Sequence, residues 1–379
     1  MQNFRGTFIN KNRDAWVEIN LANLEYNTLV IKEFLKKNCA NEPDIFAVIK
    51  ADGYGHGSLM CAPILSACGV KYFGVASIDE GIELREHRIT QPILVLGASP
   101  LWAMENAIKY DIAVSIFNDE HIEMANQLYE RLNKKLKVHI KLDTGMNRIG
   151  INKDEAKNFI QKVINSQSIE LKGIFTHFAD VENKTLFERQ INEFQQIVEP
   201  YKNLDIKIHC LNSSGMFSYP KYSYDMVRMG IIMWGLTPYS TLNSNMPKVK
   251  PVMGLKARIT NIHILKKDDG ISYGHTYIAK KDTKVATIPI GYADGIARNL
   301  SGKITAVLNG VEIKQIGRIT MDQIMFDVSS IDCNVGDIIT LLGDENKTDT
   351  IDTWAQKLDT INYELTCRLK MRLPRIYIR

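Results

Sequence analysis

The sequence predicts an α/β chain built as a (β/α)₈ barrel followed by a C-terminal, mostly β-strand domain. From residue 21 to about 235, short β-branched or apolar runs alternate with longer amphipathic segments, the pattern of parallel strands joined by helical crossovers. Eight such runs occur in that span, and eight suits a closed barrel better than an open doubly wound sheet. After about residue 245 the runs become short, Val/Ile-rich and separated by turns such as Asn309-Gly310 and Asp269-Gly270, as in an all-β domain. The expected division is therefore 1–245 and 246–379.

Taken in order, residues 21–37 form the first expected helix, because Leu24, Ile31, Phe34 and Leu35 recur at helical spacing. Barrel strands are expected at 45–50, 72–76, 92–96, 112–116, 137–142, 170–176, 206–210 and 227–230, with helices such as 119–132 and 185–201 between them. In the second domain, strands are expected at 254–266, 285–290, 304–308, 312–316, 323–328 and 337–342. A helical pair at about 350–358 and 361–370 closes the chain.

The 379 residues are 45% hydrophobic and 24% charged, the composition of a soluble globular protein, and the net charge of +4 is mild and dispersed. That balance argues against nucleic acid or an acidic membrane surface as partner. Cysteines at 39, 61, 68, 210, 333 and 367 contain no CxxC pair, so neither a zinc site nor a disulfide framework is indicated. Met1-Gln-Asn-Phe-Arg-Gly lacks a basic segment followed by an apolar core, and no run approaches the ~20 apolar residues of a membrane span. A cytoplasmic location is expected.

In a barrel of this kind the active site forms at the C-terminal ends of the strands. Lys50 ends the apolar run at 45–50 and opens a turn with glycines at 53, 55 and 57 and a hydroxyl at Tyr54. An ammonium at such a place tends to shed its proton, and the resulting amine is a nucleophile. The other polar residues at strand ends are Lys141, Asp143 and Arg148, then His177, then His209, Asn212 and Ser213, and finally Arg228 with Gly230 and Ile231 behind it.

The stretch Ala47-Val-Ile-Lys-Ala-Asp-Gly-Tyr-Gly-His-Gly57 closely resembles the pyridoxal 5'-phosphate (PLP) attachment motif of alanine racemases. The resemblance runs from about residue 14 to the end of the chain. It implies that Lys50 carries the cofactor and serves as one of two catalytic bases. It implies further that Arg228 faces the pyridine nitrogen, and that Ser213, the backbone at Gly230 and Ile231, and Tyr54 hold the phosphate, with Asn212 beside them. His177 and His209 match histidines that line the ring and hydrogen-bond near the pyridine arginine, His177 among the cofactor-binding residues and His209 in support. Lys141 matches a lysine that is carbamylated in many members, where it positions the arginine equivalent to Arg148 against the cofactor and substrate.

The second base is expected from Ile271-Ser-Tyr-Gly-His-Thr-Tyr277, where Tyr273 matches a tyrosine that acts in the partner subunit's site. The family is thus expected to work as a homodimer with shared active sites on a small amino acid. Met321 falls where a backbone amide holds the substrate carboxylate, with Asp322 in support, and Tyr292, Arg298 and Arg318 fall at the entrance channel.

Met371 departs from the pattern, standing where members can carry a tyrosine. This puts substrate selectivity in question and leaves a serine or broad-specificity racemase as the alternative to L- and D-alanine interconversion for peptidoglycan precursors. Arg228 disfavours the decarboxylases of the same barrel, which place an acidic residue there. Residues 250–379 argue against a non-catalytic PLP-binding protein, since that group lacks the β domain.

Overall fold

The computed structural model describes residues 12–238, 246–343, 348–369 and 372–379. Ala15–Asn20 (β1) leads into the helix Leu21–Asn38, which buries Leu21, Leu24, Ile31 and Leu35. Asn20 caps that helix, its side chain accepting from the Asn23 N–H. Eight parallel strands follow: Asp44–Val48 (β2), Tyr72–Val75 (β3), Ile93–Ala98 (β4), Ala113–Ile116 (β5), Leu136–Lys141 (β6), Ile169–Phe175 (β7), Lys207–His209 (β8) and Met226–Met229 (β9). From β2 to β8 each strand pairs in parallel with the next, and β9 pairs with β2. Between β8 and β9 the Arg228 N–H donates to the Leu211 carbonyl at 3.0 Å, which nearly closes the ring.

Helices such as Asp119–Leu132, Lys153–Asn165 and Lys184–Val198 cover the outside of the ring with one apolar face each. Inside it, Phe46, Leu94, Ala113, Phe175 and Met226 form a small apolar layer. This architecture is the expected barrel, with strand limits within a few residues of those read from the sequence.

The second sheet runs through Met253–Arg258 (β10), Asn261–Leu265 (β11), Thr283–Ile288, Thr305–Leu308, Val311–Ile316, Ile324–Asp327, Ile338–Leu342 and Arg375–Ile378, and a separate hairpin pairs Gly270–Ile271 with Tyr277–Ile278. The helices Ile351–Leu358 and Asn362–Arg368 close the chain before the last strand. Two differences from expectation have physical causes. The single run at 254–266 is two strands, because the Ile259 and Thr260 N–H groups turn to the carbonyls of Asp337 and Thr287. β1 and Arg375–Ile378 were not expected as strands; β1 is antiparallel to β10 and parallel to Arg375–Ile378 inside this sheet. The expected division falls at the edge of residues 239–245, outside the described residues, yet β1 ties the N-terminal segment to the second sheet. No described helix is long and apolar enough to cross a membrane.

Candidate active site

The strand carrying Lys50 ends at Val48, and the lysine opens a turn of left-handed backbone: Ala51, Asp52, Gly53 and Tyr54 all have φ between 52° and 63°. Left-handed backbone costs a non-glycine residue about 1–2 kcal/mol, so the turn needs support. The Ala51 N–H donates to Glu80 at 2.7 Å, the Ser58 N–H donates to Asp52 at 2.8 Å, and His56 Nδ1 donates to the carbonyls of Gly53 and Tyr54. His56 also stacks on Trp234 at 4.4 Å. The second sheet clamps the same turn. Arg375 Nε donates to the Gly55 carbonyl at 2.8 Å, and a Cβ at Gly57 (φ +91°) would lie 1.8 Å from the Tyr377 hydroxyl.

Above this turn lies a cavity of about 200 Å³ at the C-terminal ends of the barrel strands. It is lined by Lys50 and Tyr54 from the turn, Lys141 from β6, Arg148 from the following loop, and His177 just past β7. Asn212, Ser213, Arg228, Gly230 and Ile231 complete the set. The sequence-derived site residues Lys50, Tyr54, Lys141, Arg148, His177, Asn212, Ser213, Arg228, Gly230 and Ile231 are thus brought together. His209 lies behind Arg228, fully buried.

Arg228 is 3% exposed and has no carboxylate partner among the described residues. Its Nη2 donates to the carbonyls of Thr176 (2.7 Å) and Cys210 (2.8 Å) and faces His177 Nδ1 at 3.3 Å, while Nη1 donates to His209 Nδ1 at 2.9 Å. A guanidinium only donates, so His209 Nδ1 accepts and its neutral ring carries its proton on Nε2, while the two Nη2 hydrogens go to the two carbonyls. Burial and the Arg228 charge hold both histidines well below the ordinary histidine range, which keeps them neutral. Burial lowers Arg228 itself to about 10, still protonated near neutral pH. Its Nε meets no acceptor among the described residues and is left for whatever fills the cavity.

Lys141 is 3% exposed with no carboxylate bound to it among the described residues; its Nζ lies 4.7 Å from the centre of the Phe175 ring. Burial, Arg228 and Arg148 push its ammonium well below the usual lysine range, with Asp143 opposing. Lys50 is also lowered, first by burial and then by Arg148, against Glu80 and Cys367. The cavity therefore presents four basic side chains, with no aspartate or glutamate among its described lining residues. Ser213 Oγ accepts from the Gly230 N–H at 3.1 Å, and a Cβ at Gly230 would come within 2.8 Å of the Tyr54 hydroxyl. A positively charged pocket with a small-residue cradle and a nucleophilic amine suits a phosphorylated aldehyde such as PLP.

Tyr273 and Met321 do not line this cavity. Tyr273 is 72% exposed and Met321 52% exposed. Tyr273 sits in a strained turn: Ser272 has φ 65° and ψ −176°, a conformation nearly reserved for glycine, and its hydroxyl donates to the Arg318 carbonyl at 2.8 Å. Asp322 is exposed and pairs with Arg372 at 2.6 Å. Met371 lies outside the described residues. Tyr363 also lines the cavity, its ring centroid 6.0 Å from that of Tyr54. No strand-end pattern marks it, because it arrives on a helix from the end of the chain.

The fold and site define a barrel enzyme with a lysine-bearing anionic-cofactor pocket. Family models of the alanine racemase N-terminal and C-terminal domains match residues 19–238 and 252–377. Alanine racemase 1 of Oceanobacillus iheyensis is 39% identical over 375 residues, covering 97% of this chain and 98% of that protein. The solved alanine racemase of Clostridium difficile 630 superposes with a TM-score of 0.90 at 37% identity, covering 96% of each chain. A histidine racemase from Leuconostoc mesenteroides superposes with a TM-score of 0.89 at 30% identity, covering 98% of this chain and 100% of that one. The chain belongs to the alanine racemase family. It is a PLP-dependent amino-acid racemase, an isomerase.

Proposed function

We propose that this chain interconverts L- and D-alanine for peptidoglycan precursors in the cytoplasm, using Lys50 and the tyrosine equivalent to Tyr273 of a second copy as its two bases. The observation that carries this reading is the lysine-bearing, basic cavity at the strand ends. Racemisation needs two proton carriers on opposite faces of the α-carbon, and of the two expected bases Lys50 lines the cavity while Tyr273 does not. Tyr273 stands exposed on a strained turn, which supports its reading as a base for a neighbour's cavity in a homodimer.

Bound PLP supplies an electron-withdrawing ring that makes the substrate α-proton acidic. Lys50 holds the cofactor and moves the proton on its own face; Tyr273 moves it on the other. Arg228 would offer its free Nε–H to the pyridine nitrogen of the bound cofactor, and since a guanidinium donates only, that nitrogen would stay an acceptor. His177 and His209 keep the guanidinium in place. Tyr54, Ser213 and the backbone at Gly230 and Ile231 bind the phosphate, with Asn212 next to them. Arg148 and the Met321 backbone bind the substrate carboxylate, and Asp322 supports Met321 by holding Arg372.

Lys141 is read as a carbamylated lysine. A neutral amine adds to carbon dioxide, an N–C bond forms, and a proton leaves to solvent. The resulting anion matches the otherwise uncompensated charges of Arg148 and Arg228. ¹³C-labelled carbon dioxide should give a carbamate signal that Lys141→Ala abolishes.

A second reading, a wider substrate range, is supported by the likeness to a histidine racemase and by Met371 where a tyrosine can stand. Met is flexible and tolerates varied neighbours. Discrimination of alanine from serine should then be about a hundredfold or less. A racemisation panel over L-amino acids tests both readings. Dominant alanine turnover with measurable serine turnover, and a higher alanine-to-serine ratio of kcat/KM in Met371→Tyr, is expected. Absence of alanine racemisation would overturn the first reading.

A further inference from the structure

At the opposite, N-terminal mouth of the barrel a second cavity, of about 280 Å³, is bounded by Phe46, Tyr72, Leu94 and Ala113 and rimmed by Lys137, Lys172 and Lys207. Its deepest polar group is His139, 5% exposed, which lies on β6 between Lys137 and Lys141 on the same inward face. His139 Nδ1 lies 3.1 Å from His209 Nε2, so the chain Arg228, His209, His139 links the two cavities through the barrel core.

The direction of every hydrogen bond in that chain is set by its first member. Arg228 donates to His209 Nδ1, which places the His209 proton on Nε2. That proton is donated to His139 Nδ1, which places the His139 proton on Nε2. His139 is held neutral, since burial and then Arg228 and Lys172 lower it to about 3. Its Nε2–H therefore points away from the chain, and it meets no acceptor among the described residues. The ring is also built in: a Cβ at Gly173 would lie 2.4 Å from His139 Nδ1.

The Nε2–H opens into the cavity and can donate to an acceptor bound there. Among the rim lysines, Lys137 pairs with Asp111 and Lys172 with Glu170, while Lys207 forms no ion pair among the described residues. Asp111 is taken by Lys137 and Glu170 by Lys172, so Lys207 and Asp205 are the rim charges left without an ion pair among the described residues. A single unpaired ammonium, Lys207, beside one neutral N–H donor suits a monoanion better than a phosphate dianion, and the aromatic and aliphatic walls suit an apolar body.

We propose that the N-terminal mouth of the barrel binds a small carboxylate with an apolar body, its carboxylate accepting from His139 Nε2–H and facing Lys207. Binding there polarises the imidazole chain and so reaches Arg228. Only this second half rests on the racemase reading; the site itself does not.

The probe is benzoate, with benzamide and inorganic phosphate as controls, titrated into holoenzyme whose histidines are ¹⁵N-labelled. A saturable shift of the His139 Nε2 signal is expected with benzoate and not with the controls, weakened at least fivefold in Lys207→Gln. Racemisation should change in kcat with KM for alanine unaltered. No shift at His139, a response undiminished by Lys207→Gln, or purely competitive inhibition would overturn the proposal, the last by assigning benzoate to the active site. Tighter binding of phosphate would overturn the ligand class. If the protein racemises nothing, the racemase reading fails, and the His139 titration still decides the site.

Discussion

Lys50 is under opposing influences, and their signs can be tested one at a time. Burial and Arg148 lower its pKa from the ordinary 10.5, while Glu80 and Cys367 raise it. Cofactor capture by the apoprotein requires the neutral amine, so its rate should rise with pH and level off below the ordinary lysine value. Arg148→Ala removes a cation that favours the neutral amine, so its rate–pH midpoint should move to higher pH. A midpoint unmoved, or moved down, would contradict the electrostatic role of Arg148. Borohydride reduction of the yellow holoenzyme should fix the cofactor to Lys50, and Lys50→Ala should lose about 10²–10⁴ in rate, the range of a positioned acid–base group. Labelling mapped to another lysine would refute this.

Arg228 yields a second residue-scale test. Arg228→Glu places a carboxylate where a permanent donor stood, which favours protonation of the pyridine nitrogen and makes the ring a stronger electron sink. Transamination should rise relative to racemisation, an outcome that simple misfolding does not produce. An unchanged partition between the two reactions would count against the assignment. Lys50, Arg228, Lys141 and His177 were legible in the sequence because each sits at or near the end of a short apolar run, where strand periodicity gives the location. What their charges do to one another was not legible, since Lys141 and Arg228 lie on strands that are not neighbours and meet only inside the ring.

At the scale of elements, the turn after β2 joins local chemistry to packing. Glycines 53, 55 and 57 announce a tight turn, but the positive φ of Ala51, Asp52 and Tyr54 has no sequence signal, because those residues disfavour it. Their conformation is imposed by Glu80, Ser58 and His56 and by the strand Arg375–Ile378. Gly57→Ala adds a Cβ at φ +91° against the Tyr377 hydroxyl. It should destabilise the protein by about 2–4 kcal/mol and reduce cofactor loading, as read by thermal unfolding and by absorbance of the bound cofactor. Wild-type stability and loading in this variant would show that the clamp does not matter. The strand β6 illustrates the opposite case. Its inward face of Lys137, His139 and Lys141 follows from alternation alone, yet only the closed ring sets one residue at each mouth and one between.

For the whole molecule, the question is how many chains make one site. Mixing Lys50→Ala with Tyr273→Phe should restore activity if Tyr273 acts across an interface. Random exchange of subunits limits recovery to about a quarter of the wild-type sites, because half the dimers are hybrids and each has one intact site. No recovery after subunit exchange verified by mass would place both bases in one chain.

The sequence by itself determined the alternation of strands and helices, the change of pattern near residue 245, the lysine turn and the polar strand ends, because these depend on local periodicity and on contiguous motifs. Tertiary structure alone decided the pairing of β1 with β10 and with the last strand, for those segments are far apart in the chain and too short to declare a partner. It decided the place of Tyr363, delivered to the cavity by a helix near the chain end. It also decided the proton positions on His209 and His139, since a hydrogen-bond direction set by one buried guanidinium can pass only between side chains that folding has brought within about 3 Å.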